Sequence, residues 1–410
     1  MQKPRTRVFI VALLAAANCA GRDALRAEHT GDVSNPPAER QSADAALIEA
    51  CGAGVVSELG AARVRRRPYL QQVTSDGATV VWTSTSTTPS WVEVDDAQGD
   101  TLVARADRDA SASPVGAQQM VARIEGLRAD TLHCYSVHDE DGELVGAAGF
   151  RTAPHPNAPS AVRFVAFGDS GDGGFLQGSL QEQMRTVPFD LALLLGDIAY
   201  DDGARAQLEA KFFGVYQALT RSFPVYPVAG NHDYATEAAA PLREFFVLPE
   251  NGGAEGRERW YSFDRGPVHF VGLDTERIGP AQAAWLDADL GATSCPWTVV
   301  FAHRPPFSSG YHGNDLAFQV SFLPVLRRHR PTLVLAGHDH HYERFAPLDG
   351  TLYLVSGGGG RETRDVDWSE RTEFAEPVIH FLYITADPEV LAVHAIDGTG
   401  REFDSLLLQR

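Results

Sequence analysis

The stretch Val162-Arg163-Phe164-Val165-Ala166-Phe167-Gly168-Asp169-Ser170-Gly171 decides how the rest of the chain is read. An apolar run that barely alternates fits a strand covered on both faces. The glycine after it permits a sharp turn, and an aspartate stands where the chain leaves the strand. The same arrangement recurs downstream. Leu191-Ala192-Leu193-Leu194-Leu195 runs into Gly196-Asp197-Ile198-Ala199-Tyr200, and Val225-Tyr226-Pro227-Val228-Ala229 into Gly230-Asn231-His232-Asp233. Thr298-Val299-Val300-Phe301-Ala302 runs into His303, and Thr332-Leu333-Val334-Leu335-Ala336 into Gly337-His338-Asp339-His340. Helical stretches are expected between them, at 175–186, 204–219, 280–290 and 320–329, the last starting near Pro324. Residues from about 160 to 375 therefore read as α/β. Open α/β sheets bind ligands beyond the carboxyl ends of their strands, and here every such end carries Asp, Asn or His.

Outward from this region the pattern changes. Residues 376–410 read as further strands, with Asp397-Gly398 turning between the last two, and are expected to complete the same domain's sheet. Upstream, residues 153–159 contain three prolines and read as a stiff linker. Residues 64–154 hold short strands at close spacing, with Trp82 facing a core and turns at Gly142 and Gly146. That spacing indicates a small antiparallel all-β sandwich. Through Trp82 and the Leu127…Thr131…Tyr135 stretch it resembles a fibronectin type III domain, with His133 where that family more often has its corner tyrosine.

Residues 20–63 are rich in Ala, Gly, Ser and charge and read as a flexible linker, with a short helix at about 43–49. Lys3, Arg5 and Arg7 precede a ten-residue apolar run, 8–17. The run is too short to span a bilayer and reads as a signal peptide of an exported protein, periplasmic or extracellular. Cys19 after Leu14-Ala15-Ala16-Ala17-Asn18 resembles a lipoprotein attachment site; Asn18 is a poor residue for that place, so a lipid anchor at Cys19 stays open. Nothing later is apolar enough to be expected to cross a membrane. Cys51, Cys134 and Cys295 leave at least one thiol unpaired, and their spacing declares no pairing. The formal charge of −19 argues against nucleic acid as a large partner. A small phosphate ester is not excluded, because metal cations reverse the local field of a site.

The clustered donors are carboxylate, phenol, amide oxygen and imidazole, with no thiolate. That set suits iron, manganese or zinc, and it is larger than one ion needs. Two ions sharing a carboxylate is the simplest solution, and paired ions are a usual device for phosphate ester hydrolysis. Singly, each residue has a plainer reading. Asp169 and Asp197 suit helix caps, Asn231 a turn, Tyr200 a core aromatic, and His303 the end of a strand.

Taken in order, the five blocks resemble the motifs of the purple acid phosphatases, within the calcineurin-like metallophosphoesterases. The resemblance implies a sandwich of mixed sheets flanked by helices over residues 160–410. It implies that Asp169, Tyr200 and His340 hold one metal, that Asn231, His303 and His338 hold a second, and that Asp197 bridges them. His232 would contact the phosphate, and His312, nine residues after His303, matches a second substrate-facing histidine. Generic members of the superfamily carry His two residues after the first Asp; here that place is Gly171. The first metal then needs another ligand, and Tyr200 offers one. A phenol ionises near pH 10, so its binding calls for a strongly acidic ion such as Fe(III), with Fe, Zn or Mn in the second place. The implied activity is acid-phosphatase-like hydrolysis of phosphate monoesters by a metal-bound hydroxide attacking phosphorus in line. A phosphodiesterase or nucleotide-cleaving enzyme on the same site is the nearest alternative, and an exported non-catalytic binding module a more distant one. Asp274 reads as a turn or hydrogen-bonding residue, His269, His329 and His341 as surface or sheet residues, and Gly357 to Gly360 as a close-packed loop near the site.

Overall fold

The computed structural model describes residues 26–29, 42–52, 54, 57–85, 89–96, 99–109 and 117–410. The expected signal segment and Cys19 lie outside the described residues. The described residues form three seven-stranded sheets.

The first sheet is centred on Val162–Phe167, which pairs in parallel with Leu191–Leu194, itself parallel to Val225–Pro227. On its other side runs His380–Ala386, antiparallel, followed by Val390–Asp397 and Glu402–Gln409. The C-terminal strands thus complete this sheet, as expected, and Arg26–His29 lies at its far edge. The second sheet places Val268–Gly272, Trp297–Ala302, Leu333–Ala336 and Leu352–Ser356 side by side in parallel. Antiparallel strands finish both edges.

The two sheets face each other across one core. Phe164 meets Phe270 edge-on with ring centroids 5.1 Å apart. Along the second sheet, Val299, Phe301, Leu333 and Leu335 point into this shared core. Their neighbours Val300, Ala302 and Val334 point the other way, into a second cluster with Leu286, Phe318 and Leu326. Helices Pro280–Ala292, Leu316–Ser321 and Leu323–His329 carry those last residues. Every residue of these strands is therefore buried, which is why the runs do not alternate in the sequence. Phe175–Met184 and the helical run 205–220, which widens at 208–213, supply apolar side chains to the shared core through Leu180, Met184, Phe212 and Tyr216.

The third sheet is the all-β unit: seven antiparallel strands between Val64 and Arg151, with Trp82 fully buried in its own core. Gly146, expected in a turn, lies inside the strand Leu144–Arg151. There the ring of Pro68 approaches so closely that a Cβ would meet it at 2.5 Å. The unit is fastened to the sandwich by buried polar contacts. Arg66 pairs with Glu209, its guanidinium over the rings of Phe213 and Phe245. Tyr135 Oη donates to the Arg221 carbonyl at 2.8 Å, and Gln119 Nε2 to the Glu244 carbonyl at 2.7 Å.

Residues 42–63 correct the flexible-linker expectation. The short helix expected at about 43–49 is present as Ala45–Cys51, and a second helix, Glu58–Arg63, follows it among the described residues. A disulfide joins Cys51 to Cys134, and Asp44, almost fully buried, pairs with Arg221. Low apolar content suggested a spacer, but a covalent tie and a buried ion pair anchor what burial of Leu47 alone would not. Cys295 is the remaining free thiol among the described residues and is buried.

Candidate metal centre

All nine residues singled out in the sequence stand at one edge of the two facing sheets. Asp169, Asp197, Tyr200, Asn231 and His232 follow the parallel strands of the first sheet; His303, His338 and His340 follow those of the second. His312 comes from the loop after His303.

The backbone here takes conformations that side chains seldom allow. Asp169, Asp197 and His338 all have positive φ, at 59°, 51° and 70°. Strained residues of this kind persist only where surroundings over-determine them, and they gather at functional sites. The turns pack so tightly that their glycines cannot be replaced. A Cβ on Gly230 would lie 2.1 Å from Asp197 Oδ1, and one on Gly337 2.6 Å from Asp169 Oδ2. A Cβ on Gly171 would lie 2.1 Å from the Ile198 carbonyl oxygen. No side chain fits there, so the site has no room for a histidine at that place. Gly359 N–H donates to the Gly168 carbonyl at 2.8 Å, and Arg361 N–H to the Asp169 carbonyl at 3.0 Å. The glycine run 357–360 is the close-packed loop that the sequence suggested.

Two sets of donors converge. In the first, Tyr200 Oη lies 3.0 Å from Asp169 Oδ1 and 3.2 Å from His340 Nε2, and His340 Nε2 lies 3.4 Å from Asp169 Oδ1. In the second, His303 Nε2 lies 3.1 Å from Asn231 Oδ1 and 3.2 Å from His338 Nδ1. Asp197 Oδ1 stands 3.6 Å from His303 Nε2, and Asp169, Asp197 and His303 together form a cluster able to hold an ion.

The imidazoles are oriented by their outer nitrogens. His303 Nδ1 donates to the Leu195 carbonyl and His340 Nδ1 to the Glu362 carbonyl, each at 2.9 Å, which turns both Nε2 atoms inward as acceptors. His338 differs. Arg304 Nη1 donates to its Nε2 at 3.1 Å, so its proton sits on Nδ1, facing His303. Ligation through that Nδ1 requires the proton to leave and Arg304 to turn away, toward the Glu276 carboxylate that already holds its other nitrogens.

Electrostatics point the same way. Asp169, Asp197 and Asp233 are all but fully buried, and no Lys or Arg side chain pairs with any of them among the described residues. Burial alone would raise the Asp169 carboxyl, but His340 beside it pulls it below the usual range. Burial likewise opposes charge on His303, yet Asp197 and Asp169 raise its affinity for a proton. Burial, then Asp197, pushes Asp233 up to about 7. Burial and then the two carboxylates drive the Tyr200 phenol well above its ordinary value. Buried negative groups that draw protons onto neighbouring imidazoles are short of positive charge, and cations of the kind this donor set suits would supply it. The residues present fit a two-metal centre.

Around the donors stand two further histidines. His232 donates through Nδ1 to the Asp201 carbonyl at 2.5 Å, and its Nε2 lies 4.0 Å from Asp197 Oδ2. His312 stacks on His338 with centroids 4.1 Å apart, its Nδ1 3.1 Å from Asp339 Oδ1. Burial, the larger effect, lowers the affinity of His312 for a proton, although Asp339 opposes this.

Sequence reading missed three supporting residues. Asp233 accepts from the N–H groups of Gly230 and Ile198, tying the Asn231 turn to the Asp197 turn. Asp339 accepts from Ser308 and from the His312 N–H. Arg361 lies over the Tyr200 ring at 4.8 Å while pairing with Asp172. Asp233 and Asp339 lie inside two of the motifs, and that position was the one available signal. Asp274 caps a turn through the N–H groups of Glu276 and Arg277, as read. Of the set-aside histidines, His269 lies buried in a strand and His341 is buried beside Glu343, while His329 ends a helix against Asp287.

Residues 162–342 match the profile of the calcineurin-like phosphoesterases. Over 277 residues the chain is 28% identical to an uncharacterized protein of Mycobacterium tuberculosis, covering 56% of this chain and 51% of that one. Over 294 residues it is 28% identical to purple acid phosphatase 23 of Arabidopsis thaliana, covering 60% and 64%. The chain thus spans about half to two thirds of the length of these curated relatives. The solved structure of purple acid phosphatase PPD1 from yellow lupin (Lupinus luteus) seeds superposes with a TM-score of 0.73 at 21% identity, covering 82% of this chain and 73% of that one. Residues 162–342 are a calcineurin-like metallophosphoesterase domain, set in a chain whose sequence relatives include purple acid phosphatases and whose fold is shared with one of them.

Proposed function

We propose that this chain is a metal-dependent phosphoesterase that hydrolyses phosphate monoesters in the manner of an acid phosphatase. The single observation that carries the proposal is the convergence of seven ligand-type side chains, with none missing, at one edge of two facing sheets. Family likeness alone would not suffice, since another Arabidopsis relative bears the name probable inactive purple acid phosphatase 1.

Asp169, Tyr200 and His340 would hold one ion, and Asn231, His303 and His338 the other, with Asp197 shared. Such a pair, when bound, polarises the ester and supplies the nucleophile for in-line displacement at phosphorus. The assignment of Fe(III) to the Tyr200 side, with Fe, Zn or Mn opposite, rests on the phenol among the donors. His232, fixed by the Asp201 carbonyl, keeps Nε2 toward the site to meet a phosphate oxygen. His312, its Nδ1 3.1 Å from Asp339 Oδ1, would be a second histidine facing the substrate. The Cys51–Cys134 disulfide agrees with export to an oxidising compartment. No helix among the described residues is long and apolar enough to cross a membrane.

Turnover of 4-nitrophenyl phosphate and of bis(4-nitrophenyl) phosphate tests this reading. Wild-type chain should favour the monoester, and Asp197→Ala should abolish both activities. Preference for the diester would move the assignment to the alternative, and turnover undiminished in Asp197→Ala would remove the metal-centre reading.

A further inference from the structure

Far from the metal centre, at the seam between the all-β unit and the sandwich, lies a cavity of about 340 Å³. Asp130 and Arg151 line it from the all-β unit, Pro154 from the linker, and Ser160, Arg163, Asp190 and Arg265 from the sandwich. Arg265 ends the strand Tyr261–Arg265 and is 2% exposed. Its Nη2 donates to the Arg151 carbonyl at 3.3 Å. Its Nε and Nη1 are buried and have no hydrogen-bond partner among the described residues, and the buried Nε of Arg163 has none either.

The carboxylates in the lining are already engaged elsewhere. Asp190 Oδ2 accepts from the Arg163 backbone N–H at 2.8 Å and lies 3.8 Å from Arg163 Nε. Asp130 accepts from Ser160 Oγ at 2.8 Å and lies 3.4 Å from Arg151 Nη1. Neither reaches Arg265. The turn after it is packed, since a Cβ on Gly266 would meet Val162 and Pro154 at 3.0 and 3.1 Å, and the Gly266 carbonyl is held by the Asn157 N–H.

A guanidinium stays protonated, and burying one without a counter-charge is among the most costly arrangements a fold can hold. We propose that this seam cavity binds a small oxyanion, a phosphate or a carboxylate, gripped by Nε and Nη1 of Arg265 and Nε of Arg163. Planar N–H forks match such oxygens in geometry as well as charge. Because the lining comes from both units and the linker, the anion fastens one unit to the other. The site is independent of the metal centre.

The test is thermal denaturation of the full chain at fixed ionic strength, with inorganic phosphate or acetate as probe. Wild type and Asp197→Ala are compared with Arg265→Met and Arg163→Gln. Including Asp197→Ala removes any contribution from phosphate bound at the metal centre. A saturating anion should raise Tm by about 5 °C in wild type and in Asp197→Ala. Arg265→Met should raise Tm without added anion and abolish the response, and Arg163→Gln should weaken the apparent affinity about tenfold. The probe giving the larger shift identifies the oxyanion. An equal response in wild type and Arg265→Met, or none in wild type to either probe, overturns the site. If Arg265→Met fails to fold, Arg163→Gln decides, since an undiminished response there is equally fatal.

Discussion

The hydroxyl of Tyr200 lies 3.0 Å from Oδ1 of Asp169, both of them buried. Two such oxygens cannot both be negative in that place without a strong cation between them. The purified, metal-loaded protein is therefore expected to show a broad visible absorption band from tyrosinate to Fe(III). Tyr200→Phe should lose the band while iron, measured by elemental analysis, remains at half or more of its content. A colourless protein with both metal positions filled would mean that Tyr200 does not bind Fe(III).

Gly171 gives a test of crowding. A Cβ there would lie 2.1 Å from the Ile198 carbonyl oxygen and 2.4 Å from the Ala199 Cα, inside the turn that presents Asp197 and Tyr200. Gly171→Ala should displace that turn, lower stability by about 2 kcal/mol, and cut bound metal sharply. Urea denaturation and elemental analysis read the two effects. Full metal content in the variant would show that the turn yields without harm.

His269 supplies a pH signature unconnected with the metal centre. Its Nδ1 lies 2.6 Å from Asp264 and its Nε2 2.9 Å from Asp289. Burial disfavours its charge, but the two carboxylates more than offset this and push the ring from 6.5 up to about 9. The folded ring thus holds its proton more tightly than the unfolded one. The stabilisation is complete below about pH 6.5 and fades as pH rises through about 9. His269→Gln should lower stability by about 2–3 kcal/mol at pH 6 and by much less at pH 10. A penalty of equal size at both values would rule out the ion-pair account.

The disulfide closes a loop of 83 residues. By chain entropy, removing it with Cys51→Ser and Cys134→Ser should cost about 4 kcal/mol. Denaturation with and without reductant should reproduce the gap in wild type and show none in the double variant.

Much of the catalytic domain was legible because buried parallel strands leave unbroken apolar runs, and five of these runs end in a ligand-type residue. Asp169, Asp197 and His338 were found by position after such runs. Their left-handed backbone was not foreseeable, since no residue type announces it. The docking of residues 42–63 was invisible for a different reason. Asp44 and Cys51 draw their partners, Arg221 and Cys134, from far along the chain, and local composition carries no trace of that. Asp233 and Asp339 stood in plain view, but an aspartate that braces a turn looks like one that does chemistry until its hydrogen bonds are known.

The division of donors between the sheets has a thermodynamic consequence. The first sheet supplies every oxygen donor and the second every imidazole, so each ion would draw ligands from both layers. Occupancy would then act as a cross-link between two halves of the core, and the free energy of metal capture would become part of the cohesion of the sandwich. Withdrawal of the ions by a chelator would loosen the layers at the edge where the strands end, well before any strand within either sheet lets go.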